Sequence, residues 1–206
     1  KTVLNGSNPV GTLTQADFPS FVDDVAHEWD AMVPNTAGDH TASETPQTGY
    51  IASDWTGDCD ADGSITMELD NDYTCYITNT AKGMVDLLKL SNSVETTVRY
   101  DFSLYGPGVD TSDFTPPALL EFGGAKLIPG ETYTICELGI PSGVVSQWSV
   151  NGGSLPFVGE STGALWEVYN PDASEDFGNR CVDFQVGIGE TVSFTVNNQI
   201  PMGDAR

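Results

Sequence analysis

Over much of the chain, apolar and polar residues alternate one for one in short runs, the period of a strand with one buried face. Ser64-Ile-Thr-Met-Glu-Leu69, Thr74-Cys-Tyr-Ile-Thr-Asn79 and Glu190-Thr-Val-Ser-Phe-Thr-Val196 all read this way. Twenty-two Gly and twelve Pro punctuate these runs at short intervals. Many short strands with turn signals between them predict an all-β fold, a sandwich or a barrel. One stretch departs from this pattern. Between Phe21 and Met32, the residues Phe21, Val22, Val25, Trp29 and Met32 roughly share a helical face, which predicts a single helix there.

The pattern is written twice. The first half runs Lys1-Thr-Val-Leu-Asn5, Ala16-Asp-Phe18, Thr41-Ala-Ser-Glu44, Gly49-Tyr50, Trp55 and Ile77-Thr-Asn79. The second runs Leu88-Lys-Leu-Ser-Asn92, Tyr100-Asp-Phe102, Thr134-Ile-Cys-Glu137, Gly143-Val144, Trp148 and Val196-Asn-Asn198. Order and rough spacing hold as far as the tryptophan. The second copy then carries extra sequence at about 151–179, rich in Gly, Ser and acids, which predicts loops. The expected organisation is two tandem immunoglobulin-like β-sandwich modules. They cover 1–82 and 83–200, with 201–206 as tail or linker.

Composition narrows the function classes. The chain has 206 residues and a formal net charge of −23, from thirty acids against seven bases. Nucleic acid is a poor partner for such a surface, because phosphate binding needs clustered Lys and Arg. The acidity reads either as solubility or as adaptation to divalent cations or salt. No run of about 18 apolar residues occurs, so no membrane insertion is expected. The sequence opens at Lys1 without an initiator Met, which suggests a processed or excised segment. Four cysteines, Cys59, Cys75, Cys136 and Cys181, stand among short strands and suit disulfides in an oxidising, extracellular compartment. Pairing within halves, Cys59 with Cys75 and Cys136 with Cys181, is the simplest connectivity. No CxxC pair accompanies them, and His27 and His40 lie far from any cysteine in sequence, which argues against zinc.

These motifs resemble a known family, the prealbumin-like repeat domain of bacterial surface proteins. It includes the B-type repeat of collagen adhesins and the related pilin domains. The first half carries the likeness in Lys1-Thr-Val3, Ala16-Asp-Phe18, Ser43-Glu-Thr-Pro46 with Gly49-Tyr50, Gly57-Asp-Cys-Asp-Ala-Asp-Gly63, and Tyr73-Thr-Cys-Tyr-Ile-Thr-Asn-Thr80. The second carries it in Lys89, Tyr133-Thr-Ile-Cys-Glu137, Pro141-Ser-Gly143 and Phe194-Thr-Val-Asn-Asn198. The resemblance implies a stalk, pilus shaft or spacer at the cell surface. Its partners would be copies of itself or further domains of a parent chain. Such domains often contain an internal Lys–Asn isopeptide bond.

That bond needs three groups in one dry place. Burial must keep the lysine amine neutral, so that it can attack. Burial also favours the protonated form of a neighbouring carboxyl, which can then polarise the Asn carbonyl and shuttle protons. The first and last strands must be neighbours. The sequence offers the set twice, as Lys1, Glu44 and Asn79 and as Lys89, Glu137 and Asn198. The chain has only four lysines, and two take the matching first-strand position. The plainer alternative makes these lysines ordinary strand residues. Asn197 competes with Asn198, because alternation alone does not settle which points inward.

Other chemistry is thinner. Asp58, Asp60 and Asp62, followed by Gly63, open like a calcium loop, with Ile65 at the usual apolar place. Position twelve is Leu69 instead of the bidentate Glu, so an acidic turn between strands is the competing reading. Asn170-Pro-Asp-Ala-Ser-Glu-Asp176 is a second oxygen-rich loop with weaker spacing. No cofactor is required, and calcium is the one candidate. Neither GxSxG nor HExxH occurs, and a histidine triad would have to use His27 or His40. The chain is therefore read as a non-enzyme. The rival function is a module binding carbohydrate or matrix protein through exposed Trp29, Trp148 or Trp166, or through loops of the insertion.

Overall fold

The computed structural model describes residues 1–6, 11–92, 94–95, 101–114, 119–121, 127–141, 144–151, 166–167 and 177–199. The strands form two groups. The first contains β1 (Thr2–Leu4), β2 (Ser20–Val22), β3 (Val25–His27), β4 (Gly38–Glu44), β5 (Tyr50–Ala52), β6 (Thr56–Gly57), β7 (Ser64–Met67), β8 (Cys75–Tyr76) and β9 (Thr78–Ala81). The second contains β10 (Met84–Ser91), β11 (Val94–Glu95), β12 (Asp101–Gly106), β13 (Val109–Phe114), β14 (Leu119–Glu121), β15 (Thr132–Pro141), β16 (Val145–Asn151), β17 (Trp166–Glu167), β18 (Phe177–Gln185) and β19 (Thr191–Gln199). Among these strands, every ladder joins members of the same group.

The two groups repeat one topology. In the first, β1-β9-β5 form one sheet and β3-β2-β4-β7 another, with β6 and β8 as a separate ribbon. In the second, β10-β19-β16 form the centre of one sheet and β13-β12-β15-β18 the other. In both, the entering strand runs parallel to the leaving strand, β1 beside β9 and β10 beside β19. This is the neighbourhood that a Lys–Asn crosslink between first and last strands requires.

The second group has the larger core. Val85 and Leu87 of β10, Trp148 and Val150 of β16, and Val192, Phe194 and Val196 of β19 pack against Phe102 and Leu104 of β12, Tyr133 and Ile135 of β15, and Val182 and Phe184 of β18. These are the inward positions of period-two strands on two facing sheets, the arrangement of a sandwich. Trp148 is the hub, edge-on to Phe102 at 6.2 Å and to Phe194 at 5.9 Å between ring centroids. The first group buries less: Phe18, Ile65, Ile77, Ala81 and the cystine at Cys59.

A close joint links the groups. Gly189 donates from its backbone N–H to the Ala81 carbonyl at 3.1 Å. A Cβ on Gly189 would lie 2.2 Å from the Asn5 carbonyl oxygen, and one on Gly6 would lie 1.8 Å from that of Ile188.

The helix expected over Phe21 to Met32 is replaced by a hairpin. β2 and β3 pair antiparallel with Val22 opposite Val25. The two residues between them, Asp23 and Asp24, both have positive φ, 51° and 63°. Two left-handed residues in sequence make the turn that matches strand twist, and Asp tolerates that region better than most residues. The expected strand from Thr74 to Asn79 is split at Ile77 into β8 and β9. Of the predicted insertion, Asn151 ends β16, Trp166–Glu167 pair with it, and 177–179 open β18, so those residues are strand and not loop. The rest of that insertion, the Asn170–Asp176 loop and the 201–206 tail lie outside the described residues.

Candidate crosslinking sites

In the second sandwich, four strands end their inward-facing series on a polar residue. β10 runs Val85, Leu87, Lys89; β15 runs Tyr133, Ile135, Glu137; β19 runs Val192, Phe194, Val196, Asn198; β16 begins Ser146 before Trp148 and Val150. Lys89, Glu137 and Asn198 have no solvent exposure, and Ser146 has 1%. The parallel ladder sets Ser91 opposite Asn198, and the antiparallel ladder sets Ser146 opposite the same residue. Glu137 reaches this point from the facing sheet.

The contacts are specific. Lys89 Nζ lies 3.0 Å from Glu137 Oε1. Asn198 Nδ2 donates to that same oxygen at 2.7 Å. Ser146 Oγ donates to Glu137 Oε2 at 2.7 Å and accepts from Trp148 Nε1 at 3.0 Å. Asn198 Oδ1 is buried with no hydrogen-bond partner among the described residues. Burial pulls the Lys89 amine below its ordinary pKa, and the charge and hydrogen bond of Glu137 oppose that pull.

The first sandwich repeats the trio. Lys1 Nζ contacts Glu44 Oε2, and Asn79 Nδ2 donates to Glu44 Oε1 at 2.7 Å. The side chains of Lys1 and Glu44 are 0% and 5% exposed, so the pair is enclosed. Val3 stands opposite Asn79, two residues beyond Lys1, as Ser91 stands opposite Asn198 two residues beyond Lys89. Lys1 Nζ also sits 4.3 Å from the ring centroid of Phe18 and 5.1 Å from that of Trp29. Desolvation again lowers the lysine pKa, against the hydrogen bond and charge of Glu44. A neutral amine is a nucleophile, and a carboxyl bonded to both amine and amide can pass protons between them.

Asn197 alternates onto the opposite face from Asn198 and stands across from Gln147. The cysteines pair within halves, Cys59 with Cys75 and Cys136 with Cys181. Cys136 and Cys181 are direct partners in the β15–β18 ladder, next to Glu137 and Arg180.

In the acidic loop, Asp60 Oδ2 and Asp62 Oδ1 lie 3.5 and 2.6 Å from Ser64 Oγ. Asp58 accepts from the Thr74 backbone N–H at 2.6 Å, while Asp62 accepts from both the backbone and the hydroxyl of Ser64. Among the described residues no group of three His, Cys, Asp or Glu side chains is placed to hold a metal ion. Of the tryptophans proposed for ligand binding, Trp148 is wholly buried. Trp29 is half-buried, stacks on Trp55 at 6.4 Å and donates to the Phe18 carbonyl. The Trp166 side chain lies outside the described residues.

Sequence reasoning missed Ser146. Its signal was a polar residue at an inward position of an otherwise apolar strand, at the same end of the core as the other three.

No protein-family model matches the chain, and comparison with curated proteins gives no match. Among solved structures, a mutant of the major pilin from Streptococcus pyogenes is 9% identical, with a TM-score of 0.34 over 85% of this chain and 75% of that one. A Mobiluncus mulieris adhesin, described as containing intramolecular disulfide, isopeptide and ester bond cross-links, is 11% identical. It has a TM-score of 0.37 over 78% of this chain, which spans 56% of the adhesin structure's length. The C-terminal fragment of the pilus adhesin SpaC from Lactobacillus rhamnosus GG is 11% identical, with a TM-score of 0.32 over 96% of this chain and 95% of the fragment. The chain is similar in structure to these bacterial pilins and adhesins.

Proposed function

We propose that the chain is a structural subunit or stalk of an extracellular bacterial fibre, pilus or adhesin. Its two sandwiches, 1–82 and 83–200, are each stapled by a Lys–Asn isopeptide bond, Lys1 to Asn79 and Lys89 to Asn198. The observation that carries this reading is the recurrence of one buried Lys–Glu–Asn trio at the same register in both sandwiches. A stray buried ion pair is costly, because desolvation offsets much of the Coulombic gain. Two such pairs at equivalent positions point to a selected chemistry. The two disulfides fit the same mechanical role and an oxidising compartment.

The reaction balances within each site. The neutral lysine Nζ attacks the Asn side-chain carbonyl carbon and forms the new C–N bond. In the second site, a half-turn of the Asn198 amide brings Oδ1, the buried acceptor without a partner, to the place Nδ2 holds beside Glu137 Oε1. A proton on that oxygen then polarises the carbonyl. Glu137 takes a proton from the attacking amine and returns one to the departing nitrogen. The old C–N bond breaks and ammonia leaves. The carboxyl ends as it began, and the chemistry happens once, on the protein itself. A turnover enzyme or an exposed tryptophan site finds no comparable arrangement among the described residues.

Intact mass under reducing conditions tests the reading. Each bond removes one ammonia, about 17 Da, so the doubly stapled chain is about 34 Da lighter than its sequence mass. An unshifted mass would remove both crosslinks and leave the two sandwiches standing.

A further inference from the structure

We propose that Ser146, itself oriented by Trp148, is a positioning residue that confines the transferable proton of Glu137 to Oε1, the oxygen facing Lys89 and Asn198. This rests on the crosslinking reading above and adds a direction to it.

The argument is one of donor inventory. An indole N–H donates and never accepts. The 3.0 Å contact from Trp148 Nε1 therefore makes Ser146 Oγ the acceptor in that bond. A hydroxyl has one hydrogen, and its remaining close partner among the described residues is Glu137 Oε2 at 2.7 Å. That hydrogen points at Oε2, which must accept it. When Glu137 is neutral, its own proton is then on Oε1. Oε1 is the oxygen that lies 3.0 Å from Lys89 Nζ and 2.7 Å from Asn198 Nδ2. Without the relay, half of the neutral carboxyl's arrangements would place the proton on the wrong side, away from both reacting groups. All five side chains are buried, so no bulk water scrambles the polarity.

The first sandwich provides the contrast. Ala52 stands opposite Asn79, where Ser146 stands opposite Asn198. Ser20, across the ladder from Glu44, donates its hydroxyl to the His27 carbonyl instead. Glu44 meets Lys1 through one oxygen and Asn79 through the other. The directed relay belongs to the second site.

The test is a time course of crosslinking during cell-free synthesis under oxidising conditions, read by mass spectrometry of the peptide joining Lys89 to Asn198. Wild type is compared with Ser146→Ala, Ser146→Thr and Trp148→Phe, each checked for the intact Cys136–Cys181 disulfide as evidence of folding. Ser146→Ala is expected to slow the bond about tenfold or more, the scale of one lost hydrogen bond to a charged group in a transition state. Ser146→Thr, which keeps the hydroxyl, is expected to restore most of the rate. Trp148→Phe, which keeps an aromatic side chain but loses the N–H, should fall between them. A Ser146→Ala chain that links at the wild-type rate overturns the positioning role while leaving the crosslink intact. So does a Ser146→Thr chain as slow as Ser146→Ala. A wild-type chain with no linked peptide removes the crosslink itself, and the role of Ser146 with it.

Discussion

Lys89 and Glu137 meet with Nζ 3.0 Å from Oε1, and neither side chain is exposed to solvent. Removing one member of a buried pair leaves the other uncompensated. Glu137→Gln is therefore expected to abolish the Lys89–Asn198 bond and, in an Asn198→Ala chain whose amine stays free, to destabilise the second sandwich by about 3–5 kcal/mol. Intact mass reports the first effect, as about 17 Da of retained ammonia at this site. Denaturant unfolding reports the second. A fully crosslinked Glu137→Gln chain would contradict the first, and unchanged unfolding in the Asn198→Ala background the second.

The buried lysine also predicts a pH signature. Burial lowers the Lys89 pKa in the folded chain below its ordinary value of 10.5. Between those two values the unfolded state binds more protons than the folded one, so stability must rise with pH through that window. The penalty is full below the folded pKa and gone above 10.5. An Asn198→Ala chain, which keeps a free amine, should show this alkaline gain in urea midpoint. The crosslinked parent, whose Lys89 nitrogen has become an amide, should lack it. Identical pH profiles for the two chains would count against amide formation.

Near the β2–β3 turn, His40 bonds Asp23 Oδ2 through Nδ1 at 2.6 Å and the Thr36 carbonyl through Nε2 at 2.8 Å. A carboxylate and a carbonyl both accept, so the ring donates twice, as an imidazolium. The Asp23 hydrogen bond, then the Thr36 bond, raise the His40 pKa, and the His40 bond, with the Thr41 N–H, lowers that of Asp23. The His40 contribution is full below its unfolded value of 6.5 and is lost as pH rises through its higher folded value. The Asp23 contribution is present above 3.8 and is lost as pH falls through its lower folded value. Hydrogen exchange of the Thr41 amide, which donates to Asp23 Oδ1, should be most protected, after correction for intrinsic rates, in the interval between 3.8 and 6.5. His40→Gln should remove the alkaline loss.

The smaller core of the first sandwich makes its disulfide a larger share of that sandwich's stability, though the smaller of the two contributions. Cys59 and Cys75 close a separation of 16 residues, which corresponds to about 3 kcal/mol in the chain-entropy description. Replacing both with Ala should lower the first sandwich's unfolding midpoint by that measure. The corresponding pair at Cys136 and Cys181, separated by 45 residues, is expected to contribute about 4 kcal/mol to a better-packed partner. Calorimetry that resolves the two transitions checks the ordering.

At the joint, Gly189 has φ of +59° and no room for a Cβ beside the Asn5 carbonyl. Gly189→Ala is expected to cost about 1–3 kcal/mol and to uncouple the melting of the two sandwiches. Gly130→Ala is the control, since it too has positive φ but has nothing within 4 Å of its Cβ position. Equal effects from the two would locate the cost in backbone conformation alone.

What could be read from the sequence follows from how local each feature is. Lys1 and Lys89 stood out because lysine is scarce and both fall at one place in a repeated order. The partners Glu44, Glu137, Asn79 and Asn198 followed from that order. Alternation could not choose between Asn197 and Asn198, because a pair of adjacent polar residues satisfies either parity; the β19 core series Val192, Phe194, Val196 resolves it. The Phe21–Met32 stretch misled because apolar residues flanking a two-residue turn also fall near helical spacing. Only the positive φ of Asp23 and Asp24 separates the two patterns. Ser146 was hidden because its role depends on an indole N–H two residues away and a carboxylate from the facing sheet. The glycine contacts at the joint span the length of the chain and leave no local trace.

The parallel pairing of β10 with β19 also has a topological consequence. With Lys89 joined to Asn198, the backbone from one to the other becomes a closed ring, and the incoming and outgoing segments hang from adjacent points on it. A protease cut anywhere from Leu90 to Asn197 opens the ring without separating those segments. The nicked protein would still migrate as one molecule on a reducing denaturing gel.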